Sequence, residues 1–153
     1  MTITPRSPIV PQSLAEALRV TARRLAQGDR YRWTHMGACN CGHLAQTVTF
    51  NTPAALHEFA LERAGDWAEQ TREYCPTSGY PLDYVISALL DLGATLQELR
   101  DLERLRDEKV LRRIPAERRR EMDHRSRADV ILYMETWAEL IEEVQVHAVS
   151  LVV

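Results

Sequence analysis

The chain has 153 residues and a mass of 17.5 kDa, room for one domain of the size that buries about 68–70% of its unfolded surface on folding. With 45% hydrophobic and 27% charged residues, 6 Gly, 7 Pro and a formal charge of −3, it is excluded from the collagen-like, mucin-like and wholly disordered classes. Its uncharged runs stay short of the roughly 18 apolar residues that a membrane span needs, and the N-terminus lacks a basic-then-apolar signal pattern, so a cytoplasmic location is expected. Three cysteines without an export signal speak for a metal or thiol role before a disulfide framework.

Residues 1–11, with three prolines, read as an extended N-terminal arm, and 12–153 as a single helical domain. The first helix starts at Ser13-Leu14-Ala15-Glu16, a capping box in which serine and glutamate satisfy orphan backbone donors. Leu14, Leu18 and Leu25 then share a face until Gly28 ends the helix. Tyr31 to Thr34 and Thr47 to Phe50 are candidates for short extended stretches. Thr52-Pro53 opens a helix through Leu56, Phe59 and Arg63, and Asp66-Trp67-Ala68-Glu69 another. Pro81 begins a segment with Leu82, Val85, Ile86 and Leu89 at helical spacing up to Gly93. Thr95-Leu96-Gln97-Glu98 caps the next, which carries Leu99 and Leu102.

The last element starts at Ser126-Arg127-Ala128-Asp129 and aligns Val130, Met134, Trp137, Ile141, Val144 and Ala148 opposite Glu135, Glu139, Glu142 and Glu143. It is expected at the centre of the core or at the edge of a homodimer. The fold class is mainly α: an orthogonally packed bundle of about six or seven helices with a Cys/His-rich loop.

That loop concentrates the chemistry. His35-Met36-Gly37-Ala38-Cys39-Asn40-Cys41-Gly42-His43 places four soft or borderline ligands in nine residues, with two glycines that let the backbone bend toward one point. In an extended strand Cys39 and Cys41 would face the same side, and in a turn they can converge. A third thiol, Cys75, lies in the loop Tyr74-Cys75-Pro76-Thr77-Ser78-Gly79. Cys39, Cys41 and Cys75, with His43 or His35 as fourth ligand, make the tetrahedral Cys₃His set that zinc favours. Such a site serves structure when closed by protein and catalysis when it keeps an open position.

Two other readings come from the same residues and their neighbours. If a helix begins near Cys41, its dipole and free amides favour a thiolate there, making Cys41 the nucleophile and His43 or His35 the base of a metal-free thiol enzyme. Alternatively, residues 100–127, with 11 basic and 7 acidic side chains, form the face of a helical interaction module. The lack of interleaved aromatics there argues against nucleic acid. Within 89–99 a glycine turn and a capped helix resemble a helix-turn-helix connection, but its second helix is expected to expose Gln97, Arg100, Asp101 and Glu103–Arg104, with too many carboxylates to approach phosphates. Glu121-Met122-Asp123-His124 has the Glu-x-x-His spacing of di-iron bundles but occurs only once.

Overall fold

A computed structural model describes residues 11–31, 39–49 and 87–150 of the chain. They are mainly helical and contain no strand. The expected N-terminal arm up to residue 10, the helices of residues 52–86, the Cys75 loop and His35 lie outside the described residues.

Helix α1, Leu14–Ala26, forms where the sequence places it. Ser13 Oγ accepts from Glu16 N at 3.1 Å, while Glu16 Oε2 reaches one residue further back, to Gln12 N. Gly28, at φ +102°, ends it in the left-handed conformation, where Asp29 N returns to Arg24 O. Helix α2 runs from Asn40 to Thr49. Thr47 to Thr49 are therefore helical, not extended: the bonds from Thr47 Oγ1 to His43 O and from Thr49 Oγ1 to Ala45 O satisfy these β-branched residues inside the helix.

Residues 87–91 are helical and stop at Gly93, at φ +104°. Thr95 then opens α3, Leu96–Arg104, with both arms of its capping box in place. Its end is made by Leu105, a non-glycine residue at φ +52°, with Arg106 N returning to Asp101 O. Burial of the Leu105 side chain offsets the cost of that conformation, about 1–2 kcal/mol. Two short helices follow, α4, Glu108–Leu111, capped by Asp107, and α5, Ala116–Arg120. Residues 121–126 form a turn, so Glu121 and His124 do not share a helical face.

Helix α6, Arg127–Ser150, is the spine. It packs most extensively against α1, and an Arg19–Glu142 pair at 2.7 Å ties the two at their rim. Val130, Met134 and Trp137 of its stripe are buried and Ile141 is partly covered, whereas Val144 is 61% exposed. Tyr133 of α6 reaches the link between α3 and α4, with its hydroxyl accepting Asp107 N at 3.1 Å and its ring edge-on to Trp137. Burial pushes the Tyr133 phenol up, so it stays protonated.

Candidate functional site

The start of α2 meets the end of α3, and the polar residues of the Cys/His segment are held there. Cys39 supplies the carbonyl that accepts the first helical bond, from His43 N at 2.9 Å. Its thiol, 1% exposed, lies 3.7 Å from Glu103 Oε2. The same carboxylate oxygen accepts Cys41 N at 3.1 Å, so an acidic side chain from α3 caps the N-terminus of α2 across the interface. Burial pushes the Cys39 thiol well up, and the nearby Glu103 charge pushes it the same way; the Gly42 backbone N–H opposes both.

Glu103 is 3% exposed, contrary to the exposed position expected from sequence. The physical reason is register: Leu99, Leu102 and Glu103 stand at i, i+3 and i+4, so the carboxylate falls on the apolar stripe facing α2. Sequence reasoning missed it as a site residue, although a lone carboxylate on an apolar stripe was the available signal. Arg100 and Gln97, by contrast, are joined on the other side of α3 by a 2.7 Å hydrogen bond.

Asn40, with no exposed surface, is the second residue missed. Its Nδ2 amide lies 3.1 Å from Leu102 O, 3.2 Å from Glu103 O and 3.0 Å from His124 O, and its Oδ1 accepts the Tyr31 hydroxyl at 2.5 Å. Two N–H donors serve three carbonyls, so at least one bond is shared. Tyr31 also reaches His124 O at 2.9 Å. Burial, reinforced by the Glu103 charge, pushes its phenol up and keeps the donor proton in place. One amide thus joins α2, the end of α3 and the turn before α6.

The remaining sequence candidates divide. Cys41, fully buried, directs its thiol to Leu99 O at 3.1 Å. His43 places Nε2 2.7 Å from Arg30 O; a carbonyl only accepts, so Nε2 carries the proton and Nδ1 is the basic nitrogen. Nδ1 is buried without a hydrogen-bond partner among the described residues, and the ring stacks at 6.1 Å from Tyr31. Burial lowers the His43 pKa to about 4; Arg24 and Arg127 lower it further against the opposing Arg30 carbonyl and Asp29. The Cys39, Cys41 and His43 side chains therefore take three different partners, and among the described residues no three His, Cys, Asp or Glu groups gather to hold a metal. Cys75 and His35 lie outside the described residues.

Arg24 clamps α2 to α1, bonding Thr47 Oγ1 at 2.6 Å, Gln46 Oε1 at 2.7 Å and His43 O at 3.2 Å, with Asp29 as counter-charge at 2.8 Å. In the basic stretch Arg112 pairs with Glu108, Arg113 with Glu143, Arg118 with Asp129 and Arg125 with Asp123. Its charge is thereby partly neutralised within the chain. Among the described residues no helix is long and apolar enough to cross a membrane. No protein-family model matches the chain, and neither a curated protein nor a solved structure matches it.

Proposed function

We propose that the chain is a metal-binding protein, with zinc as the metal, whose site is built on the Cys39–Glu103 pair at the junction of α2 and α3. The separation of Cys39 Sγ and Glu103 Oε2, 3.7 Å, carries the reading. Zinc holds sulfur at about 2.3 Å and carboxylate oxygen at about 2.0–2.2 Å, and the tetrahedral angle then sets the sulfur–oxygen edge at about 3.5–3.7 Å. A thiol and a carboxylate at that spacing, here joined by a thiol hydrogen bond, match one edge of such a site once zinc displaces the thiol proton. Two further ligands would have to come from Cys41, Cys75 and the histidines, by rearrangement of the side chains in the described part. Cys41 would rotate away from Leu99 O; His43 can offer only Nδ1, while its Nε2–H to a backbone carbonyl is the arrangement that commonly orients a ligating imidazole. His35 and Cys75 are candidates from their sequence positions. At this junction the metal would hold α2 to α3, a structural role.

A metal-free reading has its own observation: the Cys41 thiol donates to Leu99 O inside the core, the behaviour of a small buried hydrophobe with a weak donor. Elemental analysis of protein purified without chelator separates the two. The metal reading expects about one zinc per chain, removed by a strong chelator and restored by titration. Glu103→Gln, which keeps an acceptor for Cys41 N, should weaken zinc affinity more than about 100-fold, since even outer partners of a site are worth 10–100-fold. Protein that takes up no zinc, or binds it equally well after this change, sinks the metal reading. A thiol enzyme with Cys41 as nucleophile is less well supported, because the sulfur is fully buried and directed at α3.

A further inference from the structure

Away from the α2–α3 junction, a cavity of about 360 Å³ opens between the start of α3, the cap of α4 and the C-terminal half of α6. Its apolar wall is Trp137, Leu140, Ile141 and Val144, one face of α6. Glu98, Asp107, Lys109 and Gln145 complete its lining. We infer that this cavity is a binding site for a small organic cation with a two-ring or similarly bulky apolar body.

Size sets the body. A dry cavity of about 150 Å³ holds a benzene, and small-molecule sites begin near 300 Å³, with mainly apolar walls and a few placed polar groups. Charge sets the head group. Glu98 Oε1 accepts Thr95 N at 2.9 Å and Asp107 Oδ1 accepts Lys109 N at 3.0 Å, so backbone donors fix both carboxylates in place while each has a second oxygen. Lys109 is exposed, on a long stem that lets its ammonium stay in water. The α6 wall adds no positive charge, because residues 128–153 contain no Lys or Arg and five carboxylates. Trp137, 3% exposed and edge-on to Tyr133 at 6.4 Å, closes the cavity with a fixed aromatic surface. With two carboxylates against one ammonium, the lining carries a net negative charge, which favours a cation over an anion.

Calorimetric titration with naphthylethylamine, naphthylethanol and naphthylacetate, matched in size and differing in charge, tests the inference on the whole chain. The amine is expected to saturate at one per chain, about tenfold or more tighter than the alcohol, with the acetate weakest. Glu98→Gln keeps the capping bond and should cost the amine about tenfold while leaving the alcohol unchanged. Val144→Trp, at a position 61% exposed, should block the cavity and abolish amine binding with helicity unchanged by circular dichroism. Three ligands that fail to saturate, or bind equally, overturn the inference; so does amine binding that survives Val144→Trp. A dimer in sedimentation that Val144→Trp dissociates would instead assign the cavity to a second copy of the chain.

Discussion

Replacing Asn40 tests whether one buried amide holds the three-way junction together. Asn40→Ala removes two N–H donors and one acceptor from a fully buried place, where Leu102 O, Glu103 O and His124 O converge and Tyr31 donates to the amide oxygen. A hydrogen bond is worth about 1 kcal/mol net and a stranded buried partner about 1–3 kcal/mol. Leu102 O still accepts Leu105 N, and Tyr31 still reaches His124 O, so only part of the set is stranded. The expected loss is about 3 kcal/mol, a large fraction of the roughly 5–15 kcal/mol of a typical domain, and a fall in Tm of about 6–12 °C. Asn40→Asp should be worse at neutral pH, because a carboxylate oxygen would face carbonyls, and should recover as acid protonates it into a donor. Urea unfolding of Asn40→Ala, Tyr31→Phe and the double variant gives the coupling energy, expected at about 1 kcal/mol or more. A loss below about 1 kcal/mol for Asn40→Ala, with additive single changes, would refute the account.

Acid should loosen the α1–α2 packing through His43. Its folded pKa of about 4 lies below the ordinary 6.5, so the neutral ring's contribution is complete above about pH 6.5 and is lost as the pH falls toward 4, about 3 kcal/mol in all. In chelator-treated protein, urea midpoints between pH 7 and 4.5 should fall more steeply for the native chain than for His43→Gln; parallel curves would contradict this. Leu105→Gly relieves about 1–2 kcal/mol of left-handed strain but forfeits a buried leucine worth about 2–5 kcal/mol, so thermal unfolding should show net destabilisation of about 1–3 kcal/mol. A glycine variant more stable than the parent would show that strain dominates there.

The helix boundaries were legible where the signal is local. Ser13, Gly28, Gly93 and Thr95 act through bonds to residues within five positions, and each stands at the predicted start or stop. The last helix was legible from its stripe, though Ser126 caps it weakly, with Asp129 N at 3.5 Å, while the Asp129 side chain turns to Arg118 and Asp123 N. The site was less legible because its partners are distant in sequence. Cys39 stood out by composition and Asn40 only as its neighbour in the chain, yet Glu103 and His124 O meet them across 64 and 84 positions. No local pattern announces such a pairing. Glu103 was the exception in principle: its place four residues after Leu99 put a charge where α3 needs an apolar side chain, and such a conflict between pattern and residue marks a functional or specially satisfied position.

The two ends that meet at this junction explain why the roles of Asn40 and Glu103 can be separated. The start of α2 has unpaired N–H groups and the positive end of a helix dipole; the end of α3 has unpaired carbonyls and the negative end. Asn40 answers the carbonyls with donors, and Glu103 answers the Cys41 N–H with an acceptor. Asn40 bonds neither thiol in this arrangement, so Asn40→Ala should lower stability and leave any zinc stoichiometry at one per folded chain. Glu103→Gln keeps the acceptor and removes the charge that zinc would share with Cys39, so it should weaken the metal more than the fold. Metal titration and urea unfolding on both variants read the two effects independently. If both variants lost stability and metal in proportion, capping and metal binding would be one inseparable property, and the Cys39–Glu103 edge would have no chemistry of its own.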